Sequence, residues 1–212
     1  MAVIAILAGL ILSTTGYVQN KAGRSRAESE IQALSTACEA YKSDNASYPM
    51  GPSSAFKSGL TSITVNATNT LDPRSSGDPT VAAYKTASLF LYTQLSGDLN
   101  GDGTVDSKDT SLATSSNLPP PKAYMHFKND ALGRPTMSAM VSSTNQVSYL
   151  SDPFGNSYGY STIYEYNFEK TPSSTPTKGY NPTFDLWSTV GLRQTPNPGQ
   201  TGDVTVKWIR NW

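Results

Sequence analysis

The chain has 212 residues, enough for one domain with an appendage, and an apolar fraction of 37% that supports one modest core. Acidic and basic residues balance at 16 each, which excludes a global field for nucleic acid or an acidic surface. A single cysteine, Cys38, excludes an internal disulfide, and a single histidine, His126, stands with no His–Cys cluster, GxSxG or Walker pattern beside it, so no catalytic residue is named and an enzyme is not expected.

The first element is apolar. Ala2, Val3, Ile4, Ile6, Leu7, Leu10, Ile11 and Leu12 fill residues 1–13. A bilayer-spanning helix needs about 20 such residues, and a secretory signal wants a charged region ahead of the apolar run. The segment is therefore read as the second half of a membrane helix, with Met1 falling inside it. Residues 14–45 contain no proline and continue the helix. Ala27, Ile31, Leu34, Cys38 and Tyr41 recur at spacings of four, three, four and three, which places them on one face. Lys21, Arg24 and Arg26 form a cationic collar behind the apolar run, and Asn45, Ser47 and Pro49 end the helix.

Residues 51–79 read as an irregular connection with a short strand at 60–65. Asn45 and Asn66 head glycosylation sequons, read here as chance matches. A second helix is expected over 80–95, with Tyr84, Leu91 and Leu95 on one face and Leu89 and Tyr92 widening the stripe.

That helix leads into DLNGDGTVDSKD, residues 98–109. Counted from Asp98, oxygen-bearing side chains occupy positions one, three, five, nine and twelve, namely Asp98, Asn100, Asp102, Asp106 and Asp109. Gly103 sits at the sharp turn at six, and Val105 at eight can pack inward. Ca²⁺ takes six to eight hard oxygens at flexible geometry, and this spacing wraps a chain around one ion. The expected ligands are the side chains of Asp98, Asn100, Asp102 and Asp109 with the Thr104 carbonyl, and Asp106 directly or through water. Asp109 is a methylene shorter than the Glu of a sensor EF-hand, so the loop resembles the dockerin version more. A short outgoing helix is allowed over 110–116, but no second loop is visible, so the ion is read as a structural clip rather than a switch. The competing reading is a solvated Asp-Gly turn.

Beyond the prolines at 119–121, short aromatic or β-branched segments read as strands at 124–127, 147–150, 158–166, 183–187 and 204–209, with His126 inside the first. Long antiparallel strands with one wet face would explain the alternation of Tyr158-Gly-Tyr160 and Tyr164-Glu-Tyr166.

The first 49 residues resemble the N-terminal helix of type IV pilin-like proteins, and above all of type II secretion pseudopilins. SDPFGNSYGY at 151–160 resembles the DPWGNPYxY segment of major pseudopilins, FDLWS at 184–188 resembles their DIYS segment, and the chain ends in Asn-Trp as theirs often do. The leader and the Glu-bearing start of the family's helix have no counterpart in these residues, which leaves prepilin processing open. The resemblance implies an α+β pilin-like fold: a long helix (residues 1–49) packed on a head (residues 50–212) that carries a second helix and a small antiparallel sheet. It implies a filament subunit held in the bacterial inner membrane, head in the periplasm, before assembly. The implied partners are other copies, related pseudopilins, the inner-membrane assembly platform and membrane lipid. It also implies a second Ca²⁺ loop after the DIYS-like segment. There Ser188 and Asp203 match the family's ligands, but its acidic pair is replaced by Leu192 and Arg193, so loss of that ion is expected. The alternative is a membrane-anchored surface binding or adhesion protein with a dockerin-like loop, its Tyr and Trp residues forming a carbohydrate-stacking face.

Overall fold

The computed structural model describes residues 2–50, 68–115, 120–134, 146–172 and 177–212, with backbone alone for residues 2–15 and Lys170. The strand expected at 60–65 and the sequon at Asn66 lie outside the described residues.

Helix α1 runs unbroken from Ala2 to Asn45, as its proline-free sequence allows. It ends where Ala46 turns left-handed at φ 61 and its amide donates to the Lys42 carbonyl at 2.8 Å. The expected face is the buried one: Ala27, Ile31, Leu34 and Cys38 are at most 5% exposed, while Tyr41 is half-buried. Tyr17 and Val18, a few turns earlier, stand in solvent. Among the described residues, no helix is long and apolar enough to cross a membrane.

Helix α2, Ala82–Ser96, buries Tyr84, Leu91, Tyr92 and Leu95 as expected, and Ala87, Ser88, Phe90 and Thr93 as well. It is enclosed on several sides because two small sheets flank it. One pairs β1, Leu132–Gly133, with β2, Tyr149–Leu150. The other has the antiparallel order β3 (Gly159–Ser161), β4 (Asp185–Ser188), β5 (Ile209–Arg210). Ser88 on α2 accepts from the Leu150 amide at 2.8 Å, so a polar residue inside the core is satisfied by a strand end. Helix α1 packs against β4 and β5 and touches α2. The fold is therefore α+β, with a long helix, a second helix and small antiparallel sheets.

Several strand expectations are corrected. Residues 124–127 form no strand; the amides of Tyr124 and Met125 both donate to the Leu95 carbonyl, binding this segment to the end of α2. His126 is accordingly exposed. The strand expected over 158–166 ends at Ser161, and Ile163–Lys170 form helix α4. Ser161 Oγ accepts from the Ile163 amide, and the Thr162 carbonyl accepts from Tyr166, so the chain turns helical there. Residues Val204–Lys207 form a 3-10 turn ahead of β5, because the Asp203 carboxylate caps the Thr205 amide at 3.0 Å. The strands are short, and β3 and β4 are buried along their length instead of presenting one wet face.

The second half of the core is aromatic. Trp187 stacks on Trp208 at 6.1 Å, meets Trp212 edge-on and donates from Nε1 to Tyr84 Oη at 3.0 Å. Across the sheet it lies over Gly159, where a Cβ would fall 2.2 Å from the indole. Only glycine leaves room for the ring.

Candidate metal loop

The 98–109 loop joins α2 to helix α3, Ser107–Ser115, which begins earlier than the sequence allowed. Gly97 at φ 77 ends α2 and turns the chain into the loop. Asp98 is fully buried. Its Oδ1 accepts from the amides of Gly101 at 2.7 Å and Asp102 at 3.2 Å, and its Oδ2 from the Gly103 amide and the Tyr92 hydroxyl, each at 2.7 Å. Burial raises its pKa, with the Asp109 charge adding to the rise, against the stabilising pull of Tyr92 and the two glycine amides. The Asn100 side-chain oxygen accepts from the Asp102 amide at 2.8 Å.

Asp102 Oδ1 takes both the hydroxyl of Thr104 at 2.6 Å and its amide at 3.0 Å, and its Oδ2 faces Lys108 Nζ at 3.2 Å. The Thr104 hydroxyl is the main cause holding this carboxyl below its usual pKa. Asp106 caps α3: its Oδ1 accepts from the Lys108 amide at 2.7 Å. Asp109 reaches back to the Asp106 amide at 2.8 Å, which completes a capping box. Its other oxygen accepts from Leu99 at 2.8 Å and Asn100 at 3.0 Å, and the carboxylate is fully buried. The short twelfth residue thus clasps the two ends of the loop through amides.

Gly103 adopts φ 93, and a Cβ there would meet the Arg134 guanidinium at 2.8 Å. The loop is tied to the sheet region by the Val147 amide, which donates to the Gly101 carbonyl at 2.7 Å. Val105, expected to pack inward, is instead 52% exposed. The structure brings the expected residues 98, 100, 102, 106 and 109 into one hydrogen-bonded ring. Among the described residues, no three His, Cys, Asp or Glu side chains stand together as a ready-made metal cluster. The loop's carboxylates are turned onto amides, and coordination would use their remaining lone pairs with the Asn100 amide oxygen and the Thr104 carbonyl, a hard-oxygen set that suits Ca²⁺.

The two residues of the weaker second site have separate partners. Ser188 donates to Asp152 Oδ2 at 2.5 Å, and Asp203 holds Thr205 by amide and hydroxyl. Asp152, the acid of the SDPFGN segment, is buried and also accepts from the amides of Phe154 and Asn156. Leu192 packs against the tryptophan cluster. Sequence reading also missed a cleft of about 500 Å³ beside α1, lined by Arg26, Glu30, Met125, Phe127 and Tyr158 among others. In its wall Tyr158 donates to Glu30 at 2.6 Å, and Arg26 bridges Glu30 and Asp130 at 2.7 and 2.8 Å. The Arg26–Glu30 spacing of four is legible in sequence; the partners at 130 and 158 depend on tertiary packing.

Compared with known proteins, the chain matches no family model, no curated protein and no solved structure.

Proposed function

We propose that the chain is a structural subunit of a type II secretion pseudopilus or a related type IV pilus-like filament, with a head clipped by calcium at residues 98–109. The observation that carries this reading is the division of labour along α1. The same unbroken helix has an apolar first stretch in its sequence, an exposed middle at Tyr17 and Val18, and a stripe from Ala27 to Cys38 buried against the head. A rod of this kind holds a subunit in the inner membrane and, on assembly, exchanges lipid for the helices of other copies. Lipid and helix core are similarly apolar, so the exchange costs little and can be reversed.

The calcium part is supported by the oxygen spacing and by the folded ring that carries it. When bound, Ca²⁺ would tie the end of α2 to the start of α3 and stabilise the folded head by preferential binding. Asp98 and Asp109 hold the loop in shape through amides, and Asp102 and Asp106 turn oxygens outward for a cation. Electron micrographs of cells with and without the gene test the filament reading. Filaments or secretion complexes lost with the gene support it, and unchanged structures with unchanged secretion contradict it.

A further inference from the structure

We infer that Lys108 is a tethered cation that occupies the loop's open carboxylate pair and competes with calcium for it. This inference rests on the calcium reading above and specifies how that site is regulated.

The four aspartates of the loop carry eight carboxylate oxygens. Both oxygens of Asp98, both of Asp109, Oδ1 of Asp102 and Oδ1 of Asp106 each accept from a backbone amide. The two that remain, Asp102 Oδ2 and Asp106 Oδ2, both face the Lys108 ammonium, at 3.2 and 3.5 Å. These are the oxygens with most capacity left for an incoming ion. Lys108 therefore stands in for a cation at the mouth of the loop, supplied by the chain itself.

The geometry makes the stand-in displaceable. Lys108 lies in the first turn of α3, and its side chain is 67% exposed, so its flexible stem can swing into water. Its amide stays bound to Asp106, so the loop backbone need not rearrange when the ammonium leaves. A monovalent ammonium on a mobile stem is a weaker partner for two carboxylates than a divalent ion. Arg134 also lies beside the loop, where its guanidinium would meet a Cβ placed on Gly103. Lys108 keeps the carboxylate pair compensated at low calcium and lowers the affinity for calcium in return.

The test is calorimetric titration of Ca²⁺ into the full chain in detergent, with chelator-treated protein as the start. Lys108→Met is expected to bind Ca²⁺ roughly threefold to tenfold more tightly than the wild type. Lys108→Arg should stay near wild type, as should Lys178→Met, which removes an exposed lysine elsewhere. In chelator, Lys108→Met should melt about 1–4 °C lower, because the open pair loses its counter-ion. Lys108→Gln repeats the measurement should the methionine variant be poorly soluble. Unchanged or weaker calcium binding by both Lys108→Met and Lys108→Gln, with the wild type binding normally, overturns this inference and leaves the calcium reading intact. A wild-type chain that takes up no calcium overturns both.

Discussion

Asp98 and Asp102 are two residues of one loop with opposite environments. Burial drives the Asp98 carboxyl up, whereas the Thr104 hydroxyl and Lys108 pull Asp102 down. They should fail differently. Asp98→Ala leaves three amides and the Tyr92 hydroxyl without their acceptor, which should cost about 3 kcal/mol or more even in chelator. Asp102→Ala frees the Thr104 amide and hydroxyl and the Lys108 ammonium at the exposed side of the loop, so it should lower the calcium-free melt by less than Asp98→Ala does while abolishing most of the calcium-induced rise. Thermal melts of both variants, with calcium and with chelator, check the contrast. The spacing of oxygens made these residues legible in sequence. Tyr92 as a partner of Asp98, and Lys108 as a partner of Asp102, were not legible, because a helix stripe and a surface lysine carry no mark of such roles.

Asp185 supplies a pH test at the same scale. Burial pushes its carboxyl up to about 6, against the pull of the Tyr180 and Asn181 amides, and Asp98, Asp152 and Glu165 are raised by burial too. A carboxyl whose folded pKa exceeds its unfolded value of about 4 favours folding while it is protonated. That contribution is present in full below about pH 4 and is lost as pH rises through about 6. Calcium-free protein should therefore melt at progressively lower temperature from about pH 4.5 to pH 7. Asp185→Asn should lie lower, since one amide then faces an NH₂ group, and should show a flatter profile over that window.

Among the elements, the helices were legible and the strands were only partly so. The stripe from Ala27 to Cys38 and the stripe on α2 are sustained periods, and each proved to be the buried face. The alternation from Tyr158 to Tyr166 looks like one strand, yet hydroxyls at Ser161 and Thr162 hold the chain to Thr68 and Leu71 and turn it into α4. Period-two patterning cannot register a hydrogen bond to a residue some ninety positions away. The Gly159–Trp187 pair belongs to this scale as well. Gly159→Ala forces a Cβ into an indole already enclosed by Trp208, Trp212 and Tyr84. It should cost about 1–3 kcal/mol by overpacking, read as a lower urea midpoint with altered tryptophan emission.

For the whole molecule, α1 is both the backbone of the head and its extension. Arg24 donates to the Lys207 carbonyl, Tyr158 to Glu30, and Tyr41 to Gln94, so the helix is bound to the head by polar contacts as well as by its apolar stripe. Ahead of that stripe Tyr17 and Val18 stand in solvent, and the filament proposed above would use the apolar sequence before them for contacts with other copies. The resemblance motifs SDPFGN and FDLWS also meet in space, through Ser188 and Asp152. Their separation in the chain hid that contact.

Oxidative cross-linking of the full chain in bacterial membranes, with cysteines replacing Ile4 and Ile11, tests the filament account most directly. The native Cys38 is fully buried and should stay silent. The account predicts that the chain fractionates with membranes and gives a ladder of dimers, trimers and higher multimers. A chain that fractionates as a water-soluble monomer and gives no cross-linked species, with residues 1–15 intact, would contradict it.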